Sequence, residues 1–266
     1  MASANSNLPA RTLKLRNRLF DLTEPRIMAI ANFTPDSFYE GSRHRIPDCS
    51  GVLLLDLGGY STRPGAQDVS EDEQLRRLRE GLTLAAATTP DTYISIDTFR
   101  PSVLRKLAGE FTIDMANDVS GGSDEMYETV AGLGLPYVLT YPEGGFSADM
   151  LLYFSQRIDR LCRLGVTDIL LDPGFGFGKT AEQTWEIARN LHVLKETGLP
   201  ILVGISRKSM LRNLLGVDTA HALNATTALH AFLLERGADI LRVHDVEEAR
   251  QTLLIYQQLH RHAAIP

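Results

Sequence analysis

The chain has 266 residues, 44% of them hydrophobic and 23% charged, which is typical of a globular protein with a sizeable core. Its net charge of −6 and its pI near 5.7 argue against a nucleic-acid-binding surface, so any anion site must be built locally. Two cysteines are too few for a disulfide framework, and no apolar run approaches the length of a membrane span or a secretion signal. We therefore expect a cytoplasmic protein that binds neither nucleic acid nor membrane.

Short apolar runs alternate with amphipathic stretches along the chain. Residues 12–22 come first and predict an N-terminal hairpin. Eight candidate strands follow, at residues 26–33, 52–57, 93–97, 113–117, 137–140, 168–172, 201–205 and 240–243. Helical periodicity is found at residues 70–86, 149–164, 181–196, 220–236 and 246–258. Ser70 and Glu73 have capping-box spacing, and Gly165 and Gly237 stand where two of the helices should end.

This alternation of strands and helices predicts one α/β domain over residues 1–266. The strands are continuous apolar runs, as expected for parallel strands that are buried on both faces. Eight β–α units in a chain of this length indicate a single (β/α)8 TIM barrel, here over residues 26–259. The segment from Pro35 to Gly51 is too short for a loop and a full helix, so the first crossover should be short or irregular.

The run DPGFGFGKT at residues 172–180 ends like a nucleotide-phosphate loop. Such a loop needs a glycine at position 173, where this chain has Pro173, and Gly174 is one place out of register. Asp172 also closes an apolar strand. These residues alone leave two alternatives, a degenerate phosphate loop or a site built around Asp172.

Polar side chains follow seven of the eight predicted strands. They are Asn32, Asp56, Asp97, Asn117, Asp172, Ser206 and Arg242. A single polar residue at such a place is often only a helix N-cap, but in a barrel all these strand ends meet at one mouth. Asp97, Asn117 and Asp172 predict an acceptor-rich half that suits a ring with many N–H groups. Arg63, Arg242 and His244, with Lys208 nearby, predict a basic half for a phosphate or diphosphate.

The motifs at residues 32–38, 56–65, 97–98, 117–118, 172–179, 206–209 and 242–245 resemble, in this order, those of the dihydropteroate synthase family. The resemblance runs through nearly the whole chain. It implies a folate-biosynthesis transferase that joins 4-aminobenzoate to 6-hydroxymethyl-7,8-dihydropterin diphosphate and releases pyrophosphate with the help of Mg²⁺. It also implies a homodimer and a sulfonamide target.

The resemblance further implies a role for individual residues. The pterin would contact Asp97, Asn117, Val119, Asp172, Phe175, Gly204, Lys208 and Arg242. The diphosphate would contact Asn32, Thr62, Arg63, Arg242 and His244, and Asn32 would also bind Mg²⁺. The aminobenzoate would contact Phe38, Pro64, Lys208 and Ser209. The catalytic residues would be Asp97, Lys208, Arg63 and Asp36. The resemblance also implies two mobile loops at the C-terminal face of the barrel, the first with Asp36 and Phe38 and the second with Thr62, Arg63 and Pro64. On this interpretation the glycine run shapes the pterin pocket and only imitates a nucleotide motif.

The chain departs from the family pattern at two places. Many members have Glu where this chain has Tyr60, and the stretch at residues 139–145 replaces a usual Met-His-Met-x-Gly. Thr140 thereby stands where the pattern has an apolar wall. Two alternatives follow. One is a pterin-binding paralogue with weak or no catalysis. The other is a methyltetrahydrofolate-dependent methyltransferase domain, which would not need the anion site of Arg242 and His244.

Overall fold

The computed structural model describes residues 11–34, 45–60 and 68–260. The described chain begins with an antiparallel hairpin of β1 (Thr12–Leu15) and β2 (Arg18–Asp21). Arg16 and Asn17 form the turn, with φ angles of 47° and 61°. Positive φ at both central residues matches the twist of a two-residue hairpin turn. The predicted hairpin is confirmed.

Eight parallel strands form the barrel and confirm the predicted fold class. They are β3 (Arg26–Asn32), β4 (Leu54–Gly58), β5 (Tyr93–Asp97), β6 (Met115–Asp118), β7 (Tyr137–Thr140), β8 (Ile169–Asp172), β9 (Leu202–Val203) and β10 (Ile240–Val243). The strand order is β8-β7-β6-β5-β4-β3-β10-β9, and one isolated bridge between Leu171 and Ile201 joins its two ends. β9 is shorter than predicted, with two residues instead of five.

Eight α-helices are found in the described residues. They are α1 (Glu71–Thr88), α2 (Pro101–Ala108), α3 (Asp124–Leu133), α4 (Ala148–Arg163), α5 (Ala181–Asn190), α6 (Ser209–Leu215), α7 (Leu223–Glu235) and α8 (Val246–His260). Two predicted helices are partly 3₁₀, at Leu191–Thr197 and at Ala220–Ala222. None of these helices is long and apolar enough to cross a membrane.

The crossovers are uneven. Two helices, α6 and α7, share the connection from β9 to β10. Residues 45–53 of the connection from β3 to β4 contain no helix, and residues 35–44 of it lie outside the described chain. The assignment of residues 1–266 to a single domain stays a prediction.

The interior of the barrel is apolar at the bottom and polar at the mouth. One buried cluster joins the hairpin region to the inward side chains near the strand starts, namely Leu13, Leu15, Phe20, Leu22, Met28, Leu54, Met115, Val138, Leu170, Leu202 and Ile240. The hairpin therefore plugs the bottom. Two residues further along several strands, the inward positions become polar, with Asp56, Asn117, Thr140, Asp172 and Arg242. A larger cluster fills the space between the strands and the helices.

Candidate active site

Arg242 lies between two carboxylates at the mouth of the barrel. Its Nε donates to Asp56 Oδ2 at 2.6 Å and its Nη2 donates to Asp97 Oδ2 at 2.7 Å. The amide of Asn117 donates to the same Asp56 oxygen at 2.9 Å. The Arg242 side chain is only 14% exposed, and a guanidinium this deeply buried needs counter-charges to be tolerated. Arg242, which the sequence assigns to the basic half of the mouth, is thus bonded to carboxylates of the acceptor half.

Because Arg242 is shared between two carboxylates, the pKa of Asp97 lies close to neutral pH. Burial raises the pKa of Asp97 to about 7, Arg242 opposes this rise, and the nearby carboxylate of Asp56 adds to it. One cation does not fully compensate two buried carboxylates, and the pKa of Asp97 stays raised for this reason. A group with this pKa can change its charge at the operating pH of an enzyme.

Asp172, at the end of β8, and Lys208, in the connection after β9, lie close enough for each charge to influence the pKa of the other. Asp172 Oδ1 accepts from the backbone N–H of Gly174 at 2.7 Å. Burial raises the pKa of Asp172, and Lys208 opposes the rise. Lys208 Nζ donates to the carbonyl of Phe175 and lies 4.3 Å from the ring centroid of Phe177. Burial lowers the pKa of Lys208 to about 8. The ring of Phe175 is fully buried in the outer core, so Phe175 contacts Lys208 through its backbone.

The glycine run has a structural role that excludes nucleotide-loop geometry. Lys179 Nζ donates to the carbonyls of Tyr141 at 2.8 Å and Phe177 at 3.1 Å. The Thr180 hydroxyl accepts from the N–H of Gln183 as the N-cap of α5. Both residues that imitate a phosphate loop are thus used by the fold. Gly174 has φ 72°, and a Cβ there would lie 2.1 Å from the Tyr141 carbonyl oxygen, so only glycine fits this turn.

Four buried polar atoms on neighbouring strands have no hydrogen-bond partner among the described residues. They are Asp56 Oδ1 on β4, Ser95 Oγ on β5, Asn117 Oδ1 on β6 and Thr140 Oγ1 on β7. Buried polar atoms are almost always paired in folded proteins, and those that are not need an explanation. Two of the four atoms can only accept, so the arrangement suits a ligand that presents several N–H groups.

The loops after β9 and β10 are fixed to each other by Arg207. Its guanidinium makes two bonds of 2.8 Å with Asp245 and donates to the carbonyls of Thr219 and Ala220. Arg207 has φ 53°, an unfavourable region for a residue with a side chain. The N–H of His244 also donates to Ser206 Oγ at 3.4 Å. These contacts hold Lys208 and His244 in fixed relative positions.

Sequence reasoning assigned no role to Asp56 or Arg207. Both stand inside the motifs quoted above, but nothing in the spacing pairs Asp56 with Arg242 or Arg207 with Asp245. These contacts depend on strand register and on two loops that are far apart in the chain.

The other predicted site residues lie around the same mouth or outside the described chain. A Cβ at Gly58 would lie 2.8 Å from Asn32 Oδ1, and a Cβ at Gly204 would lie 4.0 Å from Arg242 Cδ. Val119 directly follows β6, and Ser209 is the exposed first residue of α6. Asp36, Phe38, Thr62, Arg63 and Pro64 fall outside the described residues. The described residues contain no group of three or more His, Cys, Asp or Glu side chains that could hold a metal ion.

Comparison with known proteins relates this mouth to enzymes of pterin chemistry. The family model described as pterin binding enzyme matches residues 28–244. The dihydropteroate synthase of Escherichia coli K12 is 34% identical, over 89% of this chain and 92% of the relative. The dihydropteroate synthase of Synechocystis is 36% identical, over 88% of this chain and 90% of the relative.

Two solved structures have the same fold. The Yersinia pestis dihydropteroate synthase in a sulfonamide drug complex superposes with a TM-score of 0.85 at 33% identity, covering 93% of this chain and 98% of that one. The Xanthomonas albilineans dihydropteroate synthase with 4-aminobenzoic acid superposes with a TM-score of 0.83 at 33% identity, covering 97% of this chain and 100% of that one.

Proposed function

Since the chain belongs to the pterin-binding enzyme family, as one of its dihydropteroate synthases, we propose that it condenses 6-hydroxymethyl-7,8-dihydropterin diphosphate with 4-aminobenzoate. The products are 7,8-dihydropteroate and pyrophosphate, an intermediate and a by-product of folate biosynthesis. The observation that carries this proposal is the polar barrel mouth, where buried carboxylate and amide oxygens without partners among the described residues stand beside Arg242 and Lys208.

The pterin ring takes the acceptor side of the mouth. Asp172, the second oxygen of Asp56 and the carbonyl of Asn117 accept from ring N–H and amino groups, while Lys208 donates to the ring oxo group. Gly204 leaves space beside Arg242, which packs against the ring. Val119 and the segment of Phe175 complete the wall. Of these residues, Asp56 is an addition that comes from the geometry of the site.

The diphosphate lies toward Arg242, His244 and Asn32, with Thr62 and Arg63 as further contacts from outside the described residues. Mg²⁺ is an oxygen-binding cation that usually keeps several waters and takes further ligands from substrate phosphates, so it needs few protein ligands. Asn32 Oδ1, at the rim of β3, supplies such an oxygen, and no cluster of acidic ligands is needed. When bound, Mg²⁺ supplies positive charge that stabilises the departing pyrophosphate.

The reaction proceeds by loss of pyrophosphate before the amine attacks. Breaking the C–O bond leaves positive charge on the methylene carbon of the pterin. The carboxylate of Asp97, held in place by Arg242, stabilises that charge. The amine of 4-aminobenzoate then attacks the methylene carbon to form the C–N bond, and the proton that it loses passes to solvent. Asp36 and Arg63, which follow β3 and β4 in the sequence and lie outside the described residues, help to exclude water, which would otherwise be a competing nucleophile.

The 4-aminobenzoate lies outside the pterin, against Lys208 and Ser209 with Phe38 and Pro64. The exposed start of α6 lets Ser209 meet a carboxylate at the rim of the mouth. Support comes from the Xanthomonas albilineans relative, which was solved with 4-aminobenzoic acid, and from the Yersinia pestis relative, which was solved with a sulfonamide drug. Sulfonamides should therefore compete with 4-aminobenzoate for this position.

A homodimer in the cytoplasm is part of the proposal. Several large apolar side chains are exposed on α6, α7 and α8, namely Leu214, Leu215, Phe232, Leu254, Ile255 and Leu259. A second copy of the chain would cover some of these exposed apolar side chains, and this supports the proposed dimer. Both cysteines, Cys49 and Cys162, are free thiols, as is usual in a reducing compartment.

The test is pyrophosphate release by the purified protein with the pterin diphosphate and Mg²⁺, with and without 4-aminobenzoate. We expect release that depends on 4-aminobenzoate and forms dihydropteroate. Tight pterin binding without turnover would instead favour the binding-only paralogue, which the changed sequence after β7 first suggested. Absence of both binding and turnover would reject the proposed function.

A further inference from the structure

Thr140, the last residue of β7, faces the interior of the barrel mouth. Side chains alternate between the two faces of a strand. Tyr137 and Leu139 belong to the outer core that packs against the helices, whereas Val138 belongs to the apolar bottom of the barrel. Thr140 therefore points inward, above Val138, and it is fully buried.

The side-chain hydroxyl of Thr140 has no partner within the described part of the chain. Its Oγ1 is buried and forms no hydrogen bond there. The backbone of the same residue is well anchored, because the Tyr153 hydroxyl lies 3.1 Å from the Thr140 carbonyl and 3.0 Å from the Gly121 carbonyl. A valine would fill almost the same volume without burying a polar atom. The buried hydroxyl without a partner thus lowers the free energy of unfolding of the ligand-free protein.

The neighbours of Thr140 at the same height belong to the pterin side of the mouth. On β8 its register partner is Asp172. On the other side, Asp118 of β6 pairs with Leu139, so the next residue, Val119, comes level with Thr140. A hydroxyl can both donate and accept, and a position beside Asp172 places it at the ring edge that this carboxylate binds.

We propose that the Thr140 hydroxyl forms a hydrogen bond with the pterin ring at the edge bound by Asp172, and so is a specificity-determining residue for the substrate. The inference rests on the proposed function, which supplies the ring. The ring satisfies the buried hydroxyl, and the residue discriminates against rings that lack a hydrogen-bonding group at this edge. The hydroxyl thus makes the ligand-free protein less stable but increases its affinity for the pterin ring.

The experiment compares the wild-type protein with Thr140→Val and Thr140→Ser. Calorimetry measures binding of the pterin diphosphate with Mg²⁺ and without 4-aminobenzoate, and thermal melting measures the ligand-free protein. We expect Thr140→Val to bind the pterin about tenfold more weakly and to melt at the same or a higher temperature. Thr140→Ser keeps the hydroxyl and should bind within about threefold of wild type.

A matched control is Thr252→Val on α8. This threonine is also buried, but its hydroxyl already donates to the Glu248 carbonyl at 2.8 Å, far from the mouth in sequence and fold. Its substitution should leave pterin affinity unchanged. The control separates loss of a hydroxyl in general from loss of this one.

Two results would overturn the inference while leaving the proposed function intact. Equal pterin affinity of wild type and Thr140→Val would mean that the hydroxyl binds no part of the ring. Equal weakening by Val and Ser would mean that the shape of the side chain matters rather than its hydroxyl. If the wild-type protein itself binds no pterin diphosphate, the proposed function fails, and the inference falls with it.

Discussion

At the scale of single residues, the site buries more carboxyl groups than it has positively charged side chains to pair with them. Asp56, Asp97 and Asp172 all lie at the mouth, and Arg242 bonds the first two. Burial then favours the neutral form of a carboxyl group and the neutral form of a lysine. The pKa values of Asp97 and Lys208 therefore approach each other, at about 7 and about 8.

This convergence predicts a narrow pH optimum. Asp97 has a raised pKa, so it becomes an ionised, cation-stabilising carboxylate only as the pH rises through about 7. Lys208 has a lowered pKa, so it loses its charge as the pH rises through about 8. We expect kcat/KM for the pterin diphosphate to rise toward pH 7 and to fall above pH 8. Asp97→Asn should lose most activity, and its remaining kcat/KM should no longer rise between acidic pH and pH 7. If this rise persists in the variant, the assignment to Asp97 is contradicted.

Asp172 gives a second prediction at this scale. Asp172→Asn replaces one acceptor oxygen by an N–H donor that would face the N–H groups of the ring. Pterin affinity should fall by about tenfold or more, as measured by calorimetry. Since burial raises the pKa of Asp172, removing its charge should not lower the melting temperature of the ligand-free protein. An unchanged affinity would reject the role of Asp172 in ring binding.

At the scale of elements, the loops after β9 and β10 act as one unit through Arg207 and Asp245. The pair is nearly buried, with side chains 5% and 11% exposed, and Arg207 is held at positive φ. Such strain persists only where the surroundings enforce it, and it is common at functional sites. The unit carries Lys208 and His244, so its rigidity positions both.

Breaking this unit should impair turnover. Arg207→Lys keeps the charge but loses the bidentate geometry, and Asp245→Asn loses the counter-charge. Each should lower kcat/KM at least about tenfold, and the double variant should be much less than additive. Arg250→Lys, in an exposed pair with Glu247 on α8, is the control and should leave kcat/KM unchanged. Additive losses would show that Arg207 and Asp245 act independently.

The strands and helices also show which parts of the fold can be predicted from local sequence patterns. Strands β5, β7 and β10 have the predicted bounds, because each is a compact apolar run between clear turns. Helices α2 and α6 were not predicted, and neither was α3, although Ser123 caps it and Gly134 ends it with φ 64°. With only ten residues, α3 is too short to show a clear helical periodicity of apolar residues. The mouth was predicted from strand ends, but the Arg242 contacts were not, because they join β10 to β4 and β5, which are far away in the sequence.

At the scale of the whole molecule, stability and chemistry occupy opposite ends of the barrel. The hairpin closes the bottom with an apolar cluster, while the mouth holds charges and unsatisfied oxygens among the described residues. Arg11 strengthens the closed end, because its Nη1 donates to both carboxylate oxygens of Asp239, and this carboxylate also accepts from the N–H of Ile201. Substitutions at the two ends should therefore have separable effects.

Leu15→Ala tests this separation. Leu15 is fully buried in the hairpin plug, so its truncation leaves a cavity and should lower the free energy of unfolding by about 2–5 kcal/mol. Denaturant titration measures this loss. At temperatures where the variant stays folded, kcat/KM should match that of the wild type. A large loss of activity in the folded variant would show that the bottom of the barrel shapes the mouth.

The short strand β9 gives the barrel a seam. β9 pairs with β10 over two residue pairs, and the chain entering it meets β8 through one bridge, whereas the other neighbouring strands share three to five pairs. In amide hydrogen exchange, the barrel should open first along this line. Asp172 stands on one side of the seam and Lys208 follows its other side, so a bound ring spans it. The bound substrate then holds the two sides of the seam together, and its binding should slow deuterium uptake at the seam more than anywhere else in the barrel.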